Sequence, residues 1–169
     1  GFALAPSLAF FIMTWDNMIN MIVHPWAGVR SDQTWTRWGR RKPWILVGAP
    51  LAVTGLVALP LAPTLAGVLV ALLVTNLGRA LYAPPMAAWL GDLFPAAQRS
   101  QANAAVSLVA GVMAISVLVT SGALFERVGR AAPFVLVALG TGLLAGLGVL
   151  GVREPPPAQR TGHASLRVW

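Results

Sequence analysis

Seven of the polar residues inside largely apolar stretches have types that define what they could do. Asp16, Asn17, Asn20 and His24 lie in the first such stretch; Asn76, Arg79 and Tyr82 lie in the third. Arginine and asparagine donate hydrogen bonds, aspartate accepts them, and histidine can exchange a proton near neutral pH. At 100° per residue, Asn17, Asn20 and His24 sit about 100°, 40° and 80° around a helix from Asp16, so all four fit one face. Thr75, Asn76 and Tyr82, three or four residues from Arg79, share its side of a helix. Donors and acceptors beside an aromatic ring suit sugar hydroxyls, and the Asp and His suit a proton path. The plainer alternative is a hydrogen-bond network between helices. Asp16 and Arg79 are each the sole charge of their stretch, so an ion pair is expected if their helices are neighbours; the alternatives are that Arg79 snorkels to the interface or pairs with a residue outside this chain. A charge at mid-bilayer costs at least about 2.5–3.5 kcal/mol on insertion scales, which makes function the default reading of such residues.

These side chains need helices to hold them, and the composition says of what kind. Residues AVILMFWYC make up 57% of the 169 positions and DEKR 10%. A soluble domain is about one quarter charged, so this chain lacks the polar residues to cover a surface facing water. A bilayer core needs about 20 mostly apolar residues per helix. Five segments qualify: 6–27, 44–62, 65–89, 104–124 and 133–152. The second and fifth carry no charge and no polar stripe, which argues against a soluble core. Pro50, Pro60, Pro84 and Pro85 do not oppose helices in a membrane, where neighbours satisfy the freed carbonyls. Gly142 and Gly146, spaced G-x-x-x-G, suggest close helix contact. The fold expected is therefore all-α, with a transmembrane bundle over 1–152 and an exposed tail, or the start of a central loop, over 153–169.

Charge placement sets the orientation. Arg30, Arg37, Arg40, Arg41 and Lys42 follow the first span, Arg99 follows the third, and Arg153, Arg160 and Arg167 stand in the tail. The other side has only Arg127 and Arg130. Nine cations against two place the 30–42 loop and the C-terminus in the cytoplasm, by the rule that short cytoplasmic loops are rich in Lys and Arg. The net charge of +7 thus comes from membrane topology, and no nucleic-acid partner is expected. With no cysteine, disulfides and thiolate metal sites are excluded. No H-E-x-x-H, no G-x-S-x-G and no His–carboxylate cluster points to an enzyme, a metal or a cofactor. The chain opens on Gly1 and an apolar run with no basic n-region, so no signal peptide is read and truncation is expected.

The densest motif is the run from Pro25 to Trp44. It contains Gly28-x-x-x-Asp32, then Arg37, then Gly39-Arg40-Arg41-Lys42-Pro43-Trp44. This run resembles the loop joining helices two and three of the major facilitator superfamily. The longer Asp32-to-Gly39 spacing is similar to the branch of glycoside–pentoside–hexuronide:cation symporters and sucrose-type proton symporters. A second run agrees: Asp92-x-x-Pro95-x-x-x-Arg99-x-x-Ala102-Asn103 resembles the join of helices four and five in the same group. The resemblance reaches to Glu154 and implies a secondary transporter of the cell membrane working by alternating access. Gly28 and Gly39 should permit the turn. Asp32 should pair with Arg37, Arg40 or Arg41, and Asp92 with an Arg, Arg99 being near in sequence. Such bonds at a cytoplasmic seam would gate a rocking transporter.

The resemblance further implies that the five spans are helices two to six of an N-terminal six-helix half. The first helix and the whole second half would then be missing partners. Substrate sites in such folds lie near the midplane between halves. Melibiose-type members bind their coupling cation through two acidic residues four apart on helix two, where this chain has Asn20 and His24. That departure disfavours sodium and favours proton coupling. The expectation is sugar:proton symport. The competing readings are efflux or metabolite transport of the same superfamily, and a non-transporting membrane scaffold.

Overall fold

The computed structural model describes residues 6–152; for 6–13, Trp15 and Asp16 it describes the helix but not the side-chain surroundings. Residues 1–5 and the expected tail 153–169 lie outside the described residues. The described chain forms five helices: α1 (Pro6–Gln33), α2 (Lys42–Ala58), α3 (Leu65–Leu93), α4 (Arg99–Arg127) and α5 (Ala132–Gly151). Short 3-10 turns, Leu59–Leu61 and Ala96–Gln98, extend α2 and introduce α4. Among the described residues, four stretches are long and apolar enough to cross a membrane: Lys42–Leu61, Leu65–Leu93, Ala96–Arg127 and Ala132–Gly151. α1 is long enough at 28 residues, but its polar face keeps it out of that apolar set.

The ends of these helices follow from local chemistry. Pro43 stands in the first turn of α2, where its missing N–H costs nothing. Thr64 caps α3, its hydroxyl accepting from the Gly67 N–H at 3.1 Å, as N-cap residues do. α4 ends where the Gly129 N–H reaches the Leu124 carbonyl at 3.1 Å with Gly129 at φ 121°. Left-handed backbone past a helix end is glycine's usual place.

Helix α2 runs antiparallel to α3 at very short range. A Cβ on Gly48 would lie 2.8 Å from the Gly78 carbonyl oxygen and 2.8 Å from Tyr82 Cβ; one on Gly55 would lie 2.6 Å from the Thr75 nitrogen. Gly48, Gly55 and Gly78 are thus the glycines that let two backbones touch, which is how membrane helices gain packing energy. The pair Gly142 and Gly146 does not play that part. The nearest atom to a Cβ on Gly142 is Val53 Cγ2 at 3.8 Å, and Gly146 faces open space.

Ile45, Ala49, Trp89 and Val149 form the core cluster, with Tyr82, Leu93, Ala145 and Val152 against it. It joins α2, α3 and α5 near the end that carries the 34–41 turn. On the other side of α3, α1 packs through buried Ala27 and through Gly28, whose Cβ position is 4.0 Å from Pro84 Cβ. α4 has no buried residue and touches mainly α5.

Two boundaries differ from the sequence expectation. The first span was expected to end at Ala27, but α1 continues to Gln33, so Gly28, Arg30, Ser31 and Asp32 are helical. Gly28 therefore serves packing against α3, not the turn. α4 begins at Arg99 instead of near Ala104, because the chain resumes helix directly after Pro95 and one 3-10 turn.

Candidate functional site

Two groups of side chains stand out, one at the loop end of the bundle and one at mid-height. At the loop end, the segment between α1 and α2 folds back on itself at Thr36–Gly39. The backbone pairs there in both directions, Thr36 N–H to Gly39 at 3.2 Å and Gly39 N–H to Thr36 at 3.0 Å. The Thr36 hydroxyl also donates to the Gly39 carbonyl at 2.8 Å. Gly39 takes φ 115°, a conformation L side chains rarely adopt.

This turn delivers Arg41 to the head of α2, where only 4% of it is exposed. Each nitrogen of its guanidinium has its own partner. Nη2 meets Asp32 Oδ1 at 2.6 Å, Nη1 donates to Ser31 Oγ at 2.7 Å, and Nε donates to Asp92 Oδ2 at 3.0 Å. Ser31 is fully buried and in turn donates to the Gly28 carbonyl at 2.8 Å. Arg40 Nη2 adds a second contact to Asp92 Oδ2, at 2.7 Å. One planar fork thus ties α1, α2 and α3, a task a lysine ammonium lacks the geometry for.

Of the expected loop residues, Asp32, Arg40, Arg41 and Asp92 are brought together. Arg37 stands apart, its guanidinium 5.6 Å from the Trp38 ring centroid. Arg99 stands apart too, donating from Nε to the Phe94 carbonyl at 3.1 Å, which fixes the α3–α4 corner. Gly28 enters the network only through its backbone carbonyl, which accepts from Ser31. Ser31 was missed, since a lone serine at a helix end gives no sequence signal.

At mid-height, α1 and α3 run in the same direction with Gly28 beside Pro84. Equal rise then sets Asn20 level with Asn76, and His24 level with Ala80, next to Arg79. Asn20 and His24 lie half-buried on the face of α1 that also carries buried Ala27 and Ser31. The His24 Nε2 atom is buried and has no hydrogen-bond partner among the described residues. Asn17 is exposed. On α3, Arg79 is exposed and Asn76 half-buried. Among the described residues no carboxylate pairs with Arg79.

The expected polar face around Arg79 divides. Thr75 donates to the Ala71 carbonyl at 2.8 Å and packs under Gly55, and Tyr82 packs on Gly48 and the core cluster. Both face α2, because the glycine contact draws that side of α3 inward. Asp16 has its side chain outside the described residues. By helix rise Asp16 stands about 10 Å from the level of Arg79, seven residues away in register, so an ion pair would require both side chains to stretch along the axis.

Among the described residues, the arrangement offers a closed charge network at one end and donors without side-chain partners at mid-height, and no group of three or more potential metal ligands. Compared with known proteins, residues 2–168 match the Major Facilitator Superfamily. No curated protein and no solved structure matches the chain.

Proposed function

The chain belongs to the Major Facilitator Superfamily, a family of multi-pass membrane transporters rather than enzymes, and from that premise we propose that it works as part of a sugar:proton symporter. In this reading α1–α5 are helices two to six of an N-terminal half, and a second half completes the substrate path. The segment from Asp32, at the end of α1, through Gly39, Arg40 and Arg41 leads into α2, and the segment from Asp92, at the end of α3, to Arg99 leads into α4, which supports that numbering.

The observation that carries the proposal is Arg79. It stands 14 residues from either end of α3, about 21 Å at 1.5 Å per residue, and it is exposed there. A cation cannot stay in hydrocarbon at that depth without a polar surrounding. A water-filled substrate path supplies one. Asn76 and Asn20 stand at nearly the same level, and together with Arg79 they offer several donors to hydroxyl oxygens. His24, with a ring nitrogen held away from water and unpaired, is the proton-exchanging member. Binding a proton or a sugar at this band and releasing it on the far side requires the loop-end network to open and close.

The test is uptake of radiolabelled sucrose, with a panel of glycosides beside it, in cells expressing the transporter as its gene encodes it. Proton-driven accumulation that is lost in Arg79→Gln, and that loses its pH dependence in His24→Ala, is the expected result. Uptake of no sugar, or uptake indifferent to a proton gradient, contradicts the reading.

A further inference from the structure

The end of α1 and the turn that follows it carry a second chemistry beside the charge network. Trp26, Trp35 and Trp38 are 51%, 50% and 55% exposed, large apolar rings left half in solvent. Each is covered on one face by a different arginine: Arg30 lies 5.9 Å from the Trp26 centroid, Arg40 5.7 Å from Trp35, and Arg37 5.6 Å from Trp38. Trp26 also meets Trp44 edge to face at 5.6 Å, which fixes the α1 side of this surface to the head of α2. Arg40 is engaged by Asp92, but among the described residues no carboxylate pairs with Arg30 or Arg37. Stacking uses only the face of a guanidinium and leaves its in-plane N–H donors directed outward.

We propose that this surface binds the headgroup of an anionic phospholipid, the phosphate on Arg30 and Arg37 and the glycerol–acyl boundary against the indoles of Trp26, Trp35 and Trp38. Three features point to lipid over an acidic peptide or a nucleic acid. Trp35 and Trp38 stand just before the apolar span that begins at Lys42, and Trp26 stands in the last turns of α1, near the depth at which tryptophan settles in a bilayer. The planar arginine fork matches phosphate oxygens two at a time. The residues from 26 to 44 carry five cations against one carboxylate, and basic clusters beside a span attract anionic headgroups. Ordinary interfacial anchoring by tryptophan would hold any phospholipid equally; the arginine lids make this site selective for negative charge. The proposal rests on the helices spanning a bilayer and is independent of what is transported.

The experiment places the full chain in symmetrical nanodiscs of phosphatidylcholine doped with a tail-brominated lipid, and reads quenching of tryptophan fluorescence. One series contains brominated phosphatidylglycerol and the other brominated phosphatidylcholine at the same fraction. The expected result is an enrichment of the anionic lipid at the tryptophans of about 25-fold, from two cations each contributing roughly fivefold. The double variant Arg30→Gln with Arg37→Gln should quench equally with both lipids; neither residue enters the Arg41 network, so that network should survive. On the unmodified chain, raising salt toward 1 M shrinks the screening length to about 3 Å and should remove most of the preference. Equal quenching by the two lipids in the unmodified chain overturns the proposal. So does a preference that persists in the double variant or that ignores salt.

Discussion

The loop end of the bundle and its middle treat charge in opposite ways. At the loop end, Arg41 gives each of its three nitrogens a partner within 3.0 Å, and two carboxylates and one buried hydroxyl answer it. At mid-height, Arg79 is exposed with no carboxylate beside it among the described residues, and His24 keeps a buried nitrogen without a partner. A region whose polar groups satisfy one another resists change until several bonds break together. A region whose groups are unsatisfied is ready for something that arrives. The contrast suits a transporter in which one end is a latch and the middle is where cargo sits.

Both regions hang on the α2–α3 glycine contact, so breaking it should have the largest effect. In Gly78→Leu the added side chain has backbone of α2 directly in its way. Overpacking costs about 1–3 kcal/mol even where side chains can yield. Here backbone must move, and we expect little monodisperse protein on size exclusion. Normal yield and melting temperature would show that latch and band do not share this base.

Next in size is Arg41→Met, which strands Asp32, Asp92 and Ser31. Removing one partner of a fully buried pair costs about 3–5 kcal/mol. Because Asp32 and Asp92 are partly exposed, water replaces some of the loss, and we expect about 1–3 kcal/mol from thermal unfolding in detergent. Arg41→Lys should fall between, since one ammonium cannot meet three partners in fixed directions. A melting temperature unmoved by either change would remove the latch from the account.

The band should behave in reverse. Arg79→Gln deletes a charge that no carboxylate among the described residues pairs, so melting should stay level or rise slightly. Transport should nonetheless fall by about tenfold or more, the cost of one charge-assisted bond to cargo. Lost stability with intact transport would make Arg79 a structural residue.

The helices themselves were legible in the sequence, because long apolar runs have one stable form in a bilayer. Helix ends were less so. The cations after Ala27 read as loop, yet α1 runs on to Gln33, since arginine and serine sit comfortably in a helix that leaves the membrane. That Asp32 and Asp92 would meet arginines was readable from charge. Which arginine was not, since Arg37, Arg40 and Arg41 differ only in where a turn of four residues points them. Helix faces failed for a similar reason. Thr75 and Tyr82 share a side with Arg79 by spacing, but the close approach at Gly48 and Gly55 turns them toward α2. The G-x-x-x-G spacing at Gly142 carries no information about which helix lies opposite, and the close contact formed elsewhere.

Residues 1–169 contain no cysteine, so once any cysteine elsewhere in the transporter is replaced, a single one at Asn20 reports access to the band. In the transporter as its gene encodes it, the rate at which a membrane-impermeant maleimide on the loop side modifies Asn20→Cys measures how often the latch end opens. Adding Asp92→Asn removes the carboxylate shared by Arg40 and Arg41 and should shift the population toward the open form. A shift of about 1–2 kcal/mol raises the labelling rate roughly tenfold, whereas adding Asn76→Ala, within the band, should leave it unchanged. A labelling rate that Asp92→Asn does not alter would contradict the assignment of the Arg41 network as the latch.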